Sequence, residues 1–422
     1  MTTEGLSFGG LLVVALVAVA APLAANAIPR VKIPAVVLEI LAGIAIGPSM
    51  LGWVEVDQPV AVLSLVGLAF LLFLAGLEID VTRLHGDLLR LPLVGFVVTL
   101  AIGLSAGLAL DAAGWVSSPL FVAIVLSATS LGLVVPVLKD VGEADRPLGQ
   151  LIIAGATVAD FAAVILLSLF FSEAGGGTAS KLFSVGLFVA VVAVVAIALA
   201  RVGRSMRLDA VLVRLQDTTA EIRVRIAVAL LIGFVALAAN VGLETILGAF
   251  VAGAILASVD HDAMSHPHFR VKLEAIGYGF VIPVFFVTSG VTFDVDALTQ
   301  SPSALVRVPL FLLALLLARG VPALLYRRTL GTDGATVAAL LQATSLPFIV
   351  TAAQIGVAID AIQSVTAAAL VSAGLLSVVI FPPNALARLR RLASTVPEGV
   401  TPRPPPTTAA HSPPDGHPGL TG

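Results

Sequence analysis

One aspartate stands near the middle of a long apolar run: Asp160, in Gly155-Ala156-Thr157-Val158-Ala159-Asp160-Phe161. If that run crosses a membrane, an ionised carboxylate there costs about 2.5–3.5 kcal/mol even on a lenient insertion scale. A carboxylate that takes either a proton or a cation, never both, couples the two by competition, which gives the cost a purpose. A neutral structural acid bonded to a neighbour is the competing reading. Two other apolar runs hold hydroxyls beside helix breakers: Thr129, Ser130, Gly132 and Pro136 in one, Thr344, Ser345 and Pro347 in the other. Non-helical backbone at membrane depth is tolerated only where it is buried in protein or lines a cavity. Paired broken helices are the best sequence pointer to a binding site, because their freed carbonyls and half-helix ends can coordinate an ion. A kinked packing helix is the alternative for either run taken alone.

Three more charges bear on the site. Arg319, in Leu317-Ala318-Arg319-Gly320, is the one basic residue well inside an apolar run. It can neutralise half-helix carbonyl ends, pair with a carboxylate, or snorkel to the interface. Glu39 and Glu78 lie closer to the ends of their runs, where ion handling and a solvated funnel are equal readings. The group Asp260, His261, Asp262, His266 and His268 matches no zinc spacing and reads as a solvated loop.

The elements that must position these groups are read from the length of the runs. Of 422 residues, 58% are hydrophobic and 12% charged, against about 45–50% and about 25% in ordinary soluble domains. Thirteen apolar runs, at 6–28, 33–52, 59–79, 89–113, 119–138, 148–172, 182–202, 222–241, 245–259, 273–291, 303–326, 335–357 and 361–382, suit a hydrocarbon core about 30 Å thick. The expected fold is all-α and polytopic, in the lipid bilayer. The small net charge of −3 and the scattered basic residues leave no nucleic-acid footprint, and the absence of cysteine removes disulfides and thiolate sites. We assign no catalytic residue, no cofactor and no resident metal; the chain reads as a carrier and not as an enzyme.

Short echoes relate the two halves. Ala128-Thr129-Ser130-Leu131 recurs as Ala343-Thr344-Ser345-Leu346, an offset of 215. Gly76-Leu-Glu-Ile-Asp80-Val81 is echoed by Gly290-Val-Thr-Phe-Asp294-Val295 at 214, and Leu38-Glu39 with Gly43 by Leu243-Glu244 with Gly248 at 205. Each echo pairs run n with run n+7, and an odd step reverses direction, so the halves are expected to be inverted-topology repeats at about 6–172 and 222–384. The stretch 181–221 links them, with an amphipathic interfacial helix around Leu208–Leu215. Residues 393–422 form a Pro-rich tail expected to be disordered. Of 23 basic residues, 20 fall in alternate loops and the tail. This places the amino terminus outside and the carboxyl terminus in the cytoplasm. A first run without preceding Lys or Arg is kept as a span and not a signal peptide.

With these residues in hand, the chain resembles the monovalent cation:proton antiporter-2 family over about 11–383. The resembling segments are LEILAGIAIGPS at 38–49, FLLFLAGLE at 70–78, SATSLGLVVPVLK at 127–139, LGAFVAG at 247–253 and IPVFFVTSG at 282–290. The resemblance implies a homodimer whose protomers each have a dimerisation part and a core with two crossed broken helices, and elevator-type alternating access in a bacterial inner membrane. It implies that Asp160 carries the ion, that Thr129 is the unwound-helix hydroxyl, and that Arg319 is the late basic residue. Ser130 joins the ion site, and Thr157, Thr344, Ser345, Glu39 and Glu78 support it. The family usually places Asp, Asn or Gln before its aspartate, whereas this chain has Ala159. The expected function is therefore exchange of Na+ or K+ for protons with no net charge moved. Sodium-coupled uptake of an organic anion and a non-transporting membrane sensor are the alternatives.

Overall fold

The computed structural model describes residues 8–27, 34–78, 87–171, 178–203, 221–259, 267–299 and 302–394, and every regular element there is helical. In chain order these are α1 (Gly9–Ala27), α2 (Ala35–Ile46), α3 (Gln58–Leu77), α4 (Asp87–Ala112), α5 (Pro119–Ser127), α6 (Leu131–Asp140), α7 (Pro147–Phe171) and α8 (Thr178–Gly203). The second half holds α9 (Ile222–Asn240), α10 (Thr245–Val259), α11 (Pro267–Ile276), α12 (Ile282–Val291), α13 (Val295–Thr299), α14 (Pro302–Gly320), α15 (Arg327–Gln342), α16 (Pro347–Ala358) and α17 (Ser364–Ser394). Each of the thirteen apolar runs coincides with one helix or a helix pair. Among the described residues eight helices are long and apolar enough to cross a membrane, joined by shorter apolar ones such as Ala35–Ile46 and Thr245–Ser258. The expected interfacial helix at 208–215, the His-rich loop at 260–266 and the tail from 395 lie outside the described residues.

Local chemistry starts the helices. The Asp57 carboxylate accepts the Val60 N–H at 3.1 Å and Pro59 follows it, while Ser118 accepts from Phe121 N–H at 3.4 Å and Pro119 opens α5. A side-chain acceptor takes one orphan N–H, and proline at the first turn has none to lose.

Two pairs of helices pack backbone on backbone, and they do so alike. A Cβ on Gly76 of α3 would strike the carbonyl of Phe250 in α10, and one on Gly253 would strike that of Phe73. A Cβ on Gly290 of α12 would likewise strike the carbonyl of Ile40 in α2, and one on Gly43 that of Val287. Gly76 and Gly290 are 214 apart, the sequence offset, but Gly43 answers to Gly253 at 210 and not to Gly248 at 205. The sequence aligned the wrong glycine, because Gly248 also meets backbone, that of Phe234 in the neighbouring α9. Short motifs carry no information about which neighbour a glycine approaches.

The tenth apolar run also departs from expectation. Between α11 and α12 the residues Gly277–Val281 form a π-helical segment, a type of bulge that is frequent at functional sites. Glycines at 277 and 279 and Pro283 weaken the regular ladder there.

Candidate functional site

The fifth and twelfth runs are both broken. Ala128–Ser130 leave the helix between α5 and α6, with Ala128 extended at φ −73° and ψ 154°. Ala343–Leu346 separate α15 from α16, and Pro347 opens the second half-helix. The breaks meet. Ser130 N–H donates to the Thr344 carbonyl at 2.9 Å, and Leu346 N–H donates to Ser130 Oγ at 3.3 Å. Backbone groups freed by one break are thus satisfied by the other.

Asp160, half-buried on α7, faces the first break. Its Oδ1 accepts Thr129 N–H at 2.9 Å and its Oδ2 accepts Leu131 N–H at 3.3 Å, so the carboxylate caps α6 from a neighbouring helix. The positive end of α6 complements its negative charge. Arg319 lies on the far side of the same segment. Its Nε and Nη2 donate to Thr129 Oγ1 at 2.8 and 2.5 Å, while longer contacts of 3.4 Å reach the carbonyls of Gln342 and Gly155 and the Thr99 hydroxyl. Thr129 in turn donates its hydroxyl proton to the Gln342 carbonyl at 2.8 Å. With 2% exposure Arg319 does not snorkel; it bonds most closely to the Thr129 hydroxyl and reaches one half-helix carbonyl, that of Gln342.

Asp160 opens onto a cavity of about 280 Å³, whose wall includes Thr129, Ser130, Leu131 and Gly132 from the break, Glu39 from α2 and Tyr278 from the π-helical segment. Leu71, Leu72, Val164, Phe250, Phe286 and Phe348 make the rest largely apolar. A second cavity of about 490 Å³ lies at the opposite ends of α3, α12 and α16, lined by Ser64, Ser289, Asp294 and Gln354 among others. Along α12 the two linings change over between Phe286 and Thr288, and along α16 between Phe348 and Val350.

The other expected residues are placed less centrally. Thr157 is buried but bonds back to the Ile153 carbonyl of its own helix at 2.8 Å and does not line the cavity. Thr344 contributes its carbonyl to the crossing, while its hydroxyl donates to Leu340 O at 3.1 Å. Ser345 N–H donates to Ser377 Oγ at 3.1 Å. Glu78 stands at the end of α3 and meets Arg270, Nη2 to Oε1 at 3.4 Å, and it does not line the cavity.

Four participants were not foreseen. Gln342, 2% exposed, supplies the carbonyl that Thr129 and Arg319 share and donates its amide to Tyr326 OH at 3.3 Å. It immediately precedes the repeated Ala-Thr-Ser-Leu, so its polarity was a legible signal. Thr99 and Tyr326 carried none. Ser377 caps the second break much as Asp160 caps the first, 217 residues later. One half thus presents a charge where the other presents a hydroxyl.

Comparison with known proteins agrees with this architecture. Residues 13–385 match the family described as sodium/hydrogen exchanger, transmembrane. YjbQ of Bacillus subtilis is 31% identical over 394 residues, which cover 89% of this chain and 62% of that protein, so the chain spans less than two thirds of this relative. The Na+/H+-K+ antiporter GerN of Bacillus cereus is 29% identical over 67% of this chain and 71% of its own length. The structure of the sodium proton antiporter MjNhaP1 from Methanocaldococcus jannaschii superposes with a TM-score of 0.63 over 90% of this chain and 98% of that one. At 18% identity it speaks to the fold.

Proposed function

Because the chain belongs to the sodium/hydrogen exchanger transmembrane family, we propose that it exchanges a monovalent cation, Na+ or K+, for protons across a membrane, with Asp160 as the group the two compete for. The observation that carries this reading is the Asp160 carboxylate, held by two backbone N–H groups at the crossing of two broken helices and facing a cavity. Protonated, the group is neutral and needs no counter-ion. Ionised, it presents its charge to the cavity, where a cation that has shed part of its water shell neutralises it. Arg319 stays a fixed positive charge, because a guanidinium keeps its proton in proteins, and through Thr129 it holds the non-helical segment in place.

The reading extends to the whole chain. The two backbone-packed pairs, α3 with α10 and α2 with α12, support two inverted repeats and form a rigid scaffold against which the Asp160-bearing helices move as cavity access alternates. Bacterial relatives and the basic loops support a bacterial inner membrane with the amino terminus outside, and the family resemblance supports a homodimer. Sodium-coupled anion uptake is set aside: the named relatives are antiporters. In proteoliposomes holding a pH gradient, added Na+ or K+ drives proton efflux without any organic substrate. Flux that requires an organic anion would overturn the proposal.

A further inference from the structure

We propose that Glu39 forms a second, staging site for the cation, facing Asp160 across the same cavity from the opposite group of helices. This inference rests on the antiport reading and deepens it. Glu39 lies on α2 and is 6% exposed, yet it lines the cavity that Asp160 also lines. Among the described residues it has neither a hydrogen bond nor an ion pair. A solitary carboxylate so enclosed is costly unless a proton or a cation joins it. The remaining wall around it is largely apolar, so a cation moving through this cavity toward Asp160 meets few other oxygens.

Position fixes the role. The α2 backbone is locked onto α12 through Gly43 and Gly290, so Glu39 belongs to the scaffold. Asp160 belongs to α7, packed with the helices of the crossing. Glu39 therefore raises the local cation concentration on the side to which this cavity opens, and it cannot follow Asp160 when access switches. It acts on affinity from one side and not on the exchange step. Glu78, by contrast, has a cation within reach: Arg270 meets it at 3.4 Å while also pairing with Glu274 at 2.6 Å.

The test measures cation-driven proton flux in oriented vesicles, with the cation supplied from one side or the other. Glu39→Gln keeps the shape and removes the charge. The half-saturating cation concentration should rise at least roughly tenfold from the cavity side, as expected of one unit charge acting within about 12 Å at an effective dielectric constant of about 20, and stay unchanged from the other, with the saturating rate kept. Glu39→Asp should restore much of the loss. An unchanged half-saturation on both sides, an equal shift on both, or loss of flux at all cation concentrations in a variant that reaches the membrane overturns the staging role. Asp160→Asn in the same vesicles is the independent control: if it still exchanges, the antiport assignment of Asp160 fails whatever Glu39 does.

Discussion

At the scale of single residues the structure redistributes the work. The sequence suggested Asp160 as the charge and Thr129 as a hydroxyl beside it, and both sit at the break. Yet the Thr129 hydroxyl is fully engaged by Arg319 and the Gln342 carbonyl, and it is the backbone N–H of Thr129 that meets Asp160. Residue type was legible; the atom that acts was not, because it depends on how the segment turns after leaving the helix. Thr129→Val keeps the N–H but leaves the buried Arg319 short of its best acceptor. The expected result is a loss of stability of about 1–3 kcal/mol, read as a lower unfolding temperature in detergent, with only a modest change in cation half-saturation. A large affinity change at unaltered stability would instead make the hydroxyl a ligand. Arg319→Met should be worse tolerated than Thr129→Val, since it strips the partner from several buried oxygens at once; equal thermal stability of the two variants would contradict this.

At the scale of elements, hydrophobic runs and helix breakers made the helices and both interruptions legible. Helix contacts were not legible. The 205 offset matched Gly43 to Gly248, whereas the packing matches it to Gly253, because close approach of two backbones depends on the crossing and not on the local motif. The π-helical turn at Gly277–Val281 likewise needed the neighbouring helices to be known. Gly253→Val and Gly43→Val should each force apart a backbone contact that leaves no room for a side chain. Overpacking of this kind costs about 1–3 kcal/mol or more, so both variants should show reduced yield of folded protein in the membrane. Gly233→Ala is the matched control, since a Cβ there meets nothing within 4 Å. Normal yield of the two valine variants would show that the scaffold yields more readily than the packing implies.

At the scale of the whole molecule, the central claim is that one site is shared by proton and cation in turn. With Ala159 beside Asp160 there is one carboxylate at the crossing, and a one-for-one exchange moves no net charge. Voltage acts on a net charge at about 2.3 kcal/mol per 100 mV, so imposed potential should leave the exchange rate in proteoliposomes unaltered at fixed pH gradient. A transport current would call for a second titrating group. Because the proton competes, the cation concentration giving half-maximal rate should fall as pH rises; a value independent of pH would exclude competition. The most direct measurement is proton release on cation binding by the purified, lightly buffered protein. With Glu39→Gln removing the staging carboxylate, the protein should release protons that saturate with added Na+ or K+ at about one per protomer, as one shared carboxylate requires, and adding Asp160→Asn should abolish the release. Cation binding without proton release in the Glu39→Gln protein, or equal release once Asp160→Asn is added, would contradict the claim.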